Sequence, residues 1–512
     1  MIRYLPQTPP SVHLLVLVLA VILRLPAFWG DFYQVDEELA WLAAVQSVGG
    51  GDLYIDAWFS GPPLVVWVYQ IFVWIFGSSA LTALRIFSIF WVYLLAISVN
   101  GFLAAGKVIS RFSGVPAVLM VLFTSTPWQS LELGGELLAV VPLLLAFQRL
   151  LDLGEQSRGR NPYSRLFTIG LLAGIAILFS YKSFFMGAGL VLAFLILRTA
   201  NLPEFFTLLM GIITPILGAL VVMYIEGNLM AFREIGFEYY WQRVTLTGDT
   251  YYPATTLSTL QSMAFTWGVL LVLVLVGFFH YRTRFFSLVA RIRSIETVMA
   301  VWLVMGLVVL VLKFRRLEVA DFAILAPPLS FYASVTFSFK WPRLFRLPLL
   351  IVGVAAILVG YLGSITLPYP ALKADIREVG LEPWVLPNSP TTAPLPTSVE
   401  DWIADKNITD RIWIADHQPQ WYRKLGVTCD YPYLDFRMVF YKFEQMPGYS
   451  ADRGIVPETD RTIYEAFSEN PPLVILDPHG YFEVLRKRYP TIFGAYRTNP
   501  DQPFSVYLHP TL

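Results

Sequence analysis

The sequence predicts a polytopic α-helical membrane protein with a small α/β domain at its C-terminus, outside the bilayer. Three observations carry that expectation. Hydrophobic residues fill 56% of the 512 positions and charged residues 14%, with a mean hydropathy of +0.58, which is too apolar for a soluble globular chain. Apolar runs long enough to span recur up to residue 367, separated by segments in which Lys and Arg cluster. From about Tyr369 the composition turns polar, with Pro387, Pro390, Pro394 and Pro396, and ordinary globular sequence follows to Leu512.

The first run, Val12 to Trp29, lacks a small-residue cleavage site and reads as a retained span, with Arg24 snorkelling or facing a lipid phosphate. Further runs at 82–105, 115–128, 136–150, 166–181, 183–199, 205–225, 259–279, 296–313, 322–339 and 347–367 bring the expectation to about 11 spans. With the N-terminus inside, Lys107 and Arg111, the 149–165 segment, Arg198, the 282–293 segment and the 340–346 segment all fall on the cytoplasmic side. That agreement requires the apolar stretch Pro62–Phe76 not to cross, as a re-entrant or interfacial helix. Its Pro62-Pro63 start suits a helix N-terminus, where the missing amide hydrogens would be unpaired anyway. The rival topology makes this stretch a span and puts the loop before it in the cytoplasm. The expected domains are a membrane domain, 1–367, with a first external loop at 30–81, and an outer domain, 368–512. In the latter, strand-like runs at 411–415, 473–476 and 504–508 alternate with helical candidates at 399–405, 462–467 and 481–488.

Between Arg24 and Arg85 there is no Lys, Arg or His, yet Asp31, Asp36, Glu37, Glu38, Asp52 and Asp56 lie there. Carboxylates beside a bilayer are costly unless they face water, a metal or a reacting group, although translocated loops also simply lack bases. Asp36 and Glu37 stand at the start of an expected helix, where the dipole and backbone amides keep a carboxylate ionised. Such a group can take a proton from an acceptor hydroxyl; it can also merely cap the helix. Lys313, Arg315 and Arg316 break the rule that external loops are poor in bases. They fit a grip on an anionic lipid headgroup, or pairing with Glu318, Asp321 or the acidic loop. The 233–252 loop mixes aromatics and charges, as a sugar contact or an interfacial belt would. Five scattered His and a single Cys give no zinc spacing. There is no phosphate-binding loop, no dinucleotide glycine pattern and no nucleic-acid footprint.

The order Val35-Asp36-Glu37, Gly51-Asp52-Leu53-Tyr54, Gly61-Pro62-Pro63-Leu64, Phe76-Gly77 and Leu84-Arg85 resembles the first-loop signature of the C-type membrane glycosyltransferases, among them lipid A aminoarabinose transferases and protein O-mannosyltransferases. The resemblance covers roughly residues 24–185. It implies transfer of a sugar from a polyprenyl-phosphate donor to a lipid, glycan or protein acceptor outside a bacterial inner membrane. It puts the handling of the acceptor hydroxyl on Asp36, with Glu37 orienting, and makes Tyr54 a candidate substrate contact. A further acid in the second external loop falls on Glu136, then on Glu132, and a lipid-phosphate lysine falls on Lys182. Where related enzymes carry an aromatic or His-Tyr element, this chain has Asp321-Phe322. No cofactor is expected, and a divalent ion bridging carboxylates and phosphate stays open. The alternative from another class is a transporter or flippase of lipid-linked glycans, which should show broken spans and an internal repeat.

Overall fold

The computed structural model describes residues 8–28, 35–109, 113–126, 131, 133–154, 162–198, 201–238, 240–241, 256–283, 288–313, 317–338, 397–406, 408, 411–415, 420–427, 429, 431, 467–478, 481–488, 490–499 and 505–511. Helix α1 (Pro10–Arg24) is followed by α2 (Val35–Val48) and α3 (Pro63–Phe76). Then come α4 (Ala80–Ala105), α5 (Val115–Ser125), α6 (Gly135–Gly154), α7 (Tyr163–Phe179), α8 (Ser183–Leu197) and α9 (Leu202–Ile225). After α10 (Thr256–Thr283) and α11 (Ala290–Leu312), a 3-10 turn, Val319–Leu325, leads into α12 (Ala326–Ser338). A helix therefore stands at each apolar run expected to cross between residues 12 and 339, while the run at 347–367 lies outside the described residues.

Among the described residues, five segments are long and apolar enough to cross a membrane: Pro10–Phe28, Ala80–Ala105, Leu202–Ile225, Ala290–Leu312 and Val319–Thr336. They differ in where they sit. Val319–Thr336 is 94% buried and forms the axis of the bundle, against α5, α10 and α11; Leu202–Ile225 is only 22% buried and presents its side chains outward. Helix α3 has 14 residues, about 21 Å at 1.5 Å per residue, short of the roughly 30 Å hydrocarbon core. It starts on Pro62-Pro63 as expected, and Gly77, at φ 54°, ends it. Its tip leaves Ile71, Trp74, Ile75 and Phe76 uncovered by protein.

The most extensive helix pair among the described residues is α7 with α9. A Cβ at Gly170 would lie 2.2 Å from the Leu208 carbonyl oxygen, and one at Gly174 2.2 Å from that of Ile212. This is the close backbone approach that small residues four apart allow in a bilayer, where lipid offers no hydrophobic drive for association. Arg24 corrects a sequence expectation. It does not snorkel but is 0% exposed: Nε donates to Ser88 Oγ (3.2 Å), Nη1 to the Thr124 carbonyl (3.0 Å) and Nη2 to the Leu131 carbonyl (2.5 Å). A guanidinium kept in protein must satisfy its fork of donors, and here it does so by tying α1 to α4 and to the segments at the end of α5 and before α6.

The C-terminal region holds α13 (Thr397–Asp405), β1 (Ile412–Ile414), α14 (Gln420–Lys424), β2 (Val474–Asp477), α15 (Tyr481–Arg488), α16 (Pro490–Phe493), β3 (Arg497–Asn499) and β4 (Ser505–Leu508). The sheet order is β1-β2-β4-β3, with β1 parallel to β2 and the other pairs antiparallel. The three strand-like runs of the sequence become β1, β2 and β4; β3 carries Arg497, Thr498 and Asn499 on an open edge, so it has no apolar pattern to betray it. The helical candidate at 462–467 lies almost wholly outside the described residues.

Gly174→Leu is expected to force α7 and α9 apart and to lower the thermal unfolding midpoint of the solubilised chain by roughly 5 °C or more. Gly218→Leu, on α9 where a Cβ would meet nothing within 4 Å, is the control and should leave the midpoint unchanged.

Candidate active site

The starts of α2 and α6 and the α7–α8 turn converge on one cleft. It is lined by Glu37, Leu39 and Ala40 of α2, the 59–62 loop, Val65 and Tyr69 of α3, Gly134 to Glu136, Phe179, Ser180 and Tyr240, with about 610 Å³ of empty space that is partly open to solvent. A Cβ at Gly135 would sit 2.2 Å from the Phe179 carbonyl oxygen. Only glycine lets the start of α6 come this close to the end of α7, and that approach brings Glu136 to Lys182.

Behind the cleft lies a chain of charges. Lys182 Nζ donates to Glu136 Oε1 and to Asp321 Oδ1. Lys313 Nζ donates to both Asp321 oxygens (3.1 and 3.0 Å) and to Glu318 Oε2 (2.8 Å). Asp321 Oδ2 also accepts the Glu318 N–H at 2.9 Å, closing a capping box at the 3-10 turn. Asp321 is 0% exposed, and its two oxygens accept four hydrogen bonds from three groups, the full capacity of a carboxylate. Lys182 stands at the N-cap of α8, where the helix dipole opposes a cation, whereas Lys313 caps the C-terminus of α11, where the dipole favours one. Burial would pull the Lys182 ammonium down, but Asp321 and Glu136 outweigh it and hold the group well above the ordinary lysine range.

On the opposite wall Glu37 is 5% exposed. Burial raises its pKa against the pull of Arg85 and Arg24 and of a hydrogen bond from the Leu133 N–H. Its Oε1 and the Ser180 Oγ, both buried at the cleft, accept or donate no hydrogen bond within the described residues. A hydroxyl-bearing ligand could hydrogen-bond both. Glu38, one residue on, is fully buried and turned instead toward the C-terminal region, with Oε1 3.1 Å from Arg423 Nη2.

The sequence candidates fall as follows. Glu37 and Glu136, 99 positions apart, line the same cleft, and Lys182 and Lys313 meet on Asp321 next to it. Asp36 is placed by its backbone in the first turn of α2; its side chain, with Glu132, Arg315 and Arg316, lies outside the described residues. Tyr54 is fully buried at φ 72°; its hydroxyl donates to the Gly61 carbonyl at 2.8 Å, so it braces the cleft wall and is not among the lining residues. The 233–252 loop is described only as a π-helical turn, Phe232–Glu238, plus Tyr240 and Trp241; Tyr240 packs edge-on against Tyr181 at 4.9 Å and lines the cleft. Sequence reasoning gave Asp321 no site of its own. The signal was the Glu318-x-x-Asp321 capping pattern five residues after Lys313. Among the described residues no group of three or more His, Cys, Asp or Glu side chains could hold a metal ion.

With this geometry in view, the fold has known counterparts. ArnT from Cupriavidus metallidurans, solved bound to undecaprenyl phosphate, superposes with a TM-score of 0.54 at 15% identity, covering 97% of this chain and 96% of ArnT. The oligosaccharyltransferase of Archaeoglobus fulgidus matches in its apo form with a TM-score of 0.51 at 12% identity, over 98% of this chain and 74% of that one. Its AglB complex with an inhibitory peptide and a dolichol-phosphate gives 0.50 at 12% identity over the same shares. No family model matches the chain, and no curated protein matches it in sequence. The chain therefore has the polytopic fold of the C-type membrane glycosyltransferases, as the first-loop motifs led one to expect.

Burial lifts the Glu38 carboxyl from 4.5 to about 7, with Arg423 pulling it down and Glu37 pushing it further up. The folded state thus holds this proton more tightly than the unfolded chain. The resulting stabilisation is complete below pH 4.5 and is lost as the pH rises through about 7. Glu38→Gln, neutral throughout, is expected to match wild type in thermal midpoint at the acid end and to exceed it by a margin that grows toward neutrality. A pH series of unfolding midpoints on both proteins checks this.

Proposed function

We propose that this chain is an integral membrane glycosyltransferase that moves a sugar from a polyprenyl-phosphate donor to an acceptor hydroxyl at the extracytoplasmic face, with inversion at the anomeric carbon. The observation that carries the proposal is the cleft itself. One wall holds a buried, partly unpartnered carboxylate from the first loop; the other holds Glu136, backed by an ammonium group kept charged. The fold shared with ArnT bound to undecaprenyl phosphate and with an oligosaccharyltransferase bound to dolichol-phosphate supports the donor class.

In this reading Asp36 takes the acceptor proton as its oxygen attacks the anomeric carbon, and Glu37 orients the hydroxyl. The bond from that carbon to the phosphate oxygen breaks, and the phosphate leaves with an added negative charge. Lys182 and Lys313 face that charge, with Arg315 or Arg316 completing the clamp. Three carboxylates share the two lysines, so the donor phosphate binds by exchange: it takes an ammonium hydrogen bond that a carboxylate gives up. Helices α2 and α3 and the C-terminal domain lie on the outer side, with the bare tip of α3 resting in the lipid interface.

Purified protein in lipid nanodiscs, incubated with a panel of polyprenyl-phosphate sugars and candidate acceptors, should yield glycosylated product by mass spectrometry. Movement of donor across vesicles without its consumption would identify a flippase instead. Asp36→Asn is expected to lower kcat by about 10³-fold without loss of expression or fold; retained turnover removes the assigned base. Lys182→Ala is expected to raise the apparent donor KM by about tenfold or more and to leave acceptor KM in place. An unchanged donor KM counts against the phosphate role.

A further inference from the structure

The C-terminal region reaches α2 at two points that the proposed chemistry does not use. Arg423, on α14, lies 3.1 Å from Glu38, and the Gln46 side-chain amide donates to the carbonyls of Cys429 and Tyr431, the latter at 3.3 Å. Glu38 and Gln46 are two helical turns apart, so both ends of α2 are tethered to the same short stretch after β1. That stretch is itself fixed. Trp421 and Tyr422 are buried, and the Ile414 N–H of β1 donates to the Tyr422 hydroxyl at 3.0 Å.

Side chains one residue apart on a helix point about 100° apart. Glu37 and Ala40 line the cleft, so Glu38 must look away from it, toward Arg423. The roll of α2 that aims Glu37 into the cleft is therefore the roll that completes the Glu38–Arg423 pair. We propose that Arg423 is a positioning residue of the transfer reaction, holding α2 at that roll through Glu38. This rests on the reading of the cleft as a glycosyl-transfer site. Burial outweighs the pull of Arg423 on the Glu38 carboxyl, which suits a contact that sets geometry more than stability.

The test uses the full chain in nanodiscs, with Arg423→Gln, Arg423→Lys, Glu38→Gln and the double variant Glu38→Gln/Arg423→Gln. Hydrogen exchange of the α2 amides needs no ligand. Arg423→Gln should speed it about tenfold while α7 and α9 stay at wild-type rates, and Arg423→Lys should restore most of the protection. Where wild type turns over a donor, Arg423→Gln should lower kcat about tenfold with donor KM unchanged, and the double variant should lose no more than either single one. Wild-type α2 exchange in Arg423→Gln, or additive losses in the double variant, overturns the proposal. A wild-type protein inactive on every donor sinks the transferase reading instead, and the exchange arm still decides Arg423. Should Arg423→Gln fail to fold, Glu38→Gln, which keeps the side-chain shape, carries both readouts.

Discussion

Asp321 is the fixed point of the site. A carboxylate with no solvent exposure is costly unless its lone pairs are engaged, and the two Asp321 oxygens accept from Lys182, Lys313 and the Glu318 amide. Because those donors come from the α7–α8 turn, the end of α11 and the 3-10 turn before α12, the one side chain sets three segments against each other. Glu136 then closes on Lys182 from α6. An ion network of this kind adds little to stability once desolvation is counted, but it leaves few alternative arrangements and keeps Lys182 charged in a buried place.

The outer rim is organised by the same rule applied to other groups. Arg24 is buried and spends its donors on protein acceptors, fixing the positions from which α4 and the segment before α6 approach. Its charge and that of Arg85 act on Glu37. Helix α2 therefore lies between two sets of constraints, cations and a Leu133 amide from the helical region and Arg423 with two carbonyls from the C-terminal region. Two buried polar atoms without a hydrogen-bond partner among the described residues, Glu37 Oε1 and Ser180 Oγ, belong to residues that line the cleft. Unpaired buried polar atoms are costly, and a polar ligand in the cleft would be placed to satisfy these two.

Much of this was legible in the chain. Hydropathy located the helices because a bilayer demands runs of apolar residues whatever they pack against, and the Pro62-Pro63 start and Gly77 stop of α3 are local backbone chemistry. The acid-only loop, Glu136, Lys182 and Lys313 stood out as charges in apolar surroundings. Which of them would meet was not legible. Arg24 looked like a snorkelling residue because sequence cannot say whether acceptors wait on the protein side. Tyr54 looked like a substrate contact because a motif does not state which way its side chain turns. The edge strand β3 was missed because its residues carry no apolar alternation. The close α7–α9 crossing needed partners as well as glycines, since Gly170 and Gly174 matter only where Leu208 and Ile212 come to face them. The sequence by itself determined the class of fold and the residue types on which chemistry could be built, because hydrophobic length and charge placement act locally and survive in one dimension. The pairing of Lys182 with Asp321, the meeting of Glu37 with Glu136 at one cleft, and the docking of Arg423 on α2 were decided only by tertiary structure. Each joins positions scores to hundreds of residues apart, and each depends on distances of a few ångströms that no local pattern encodes.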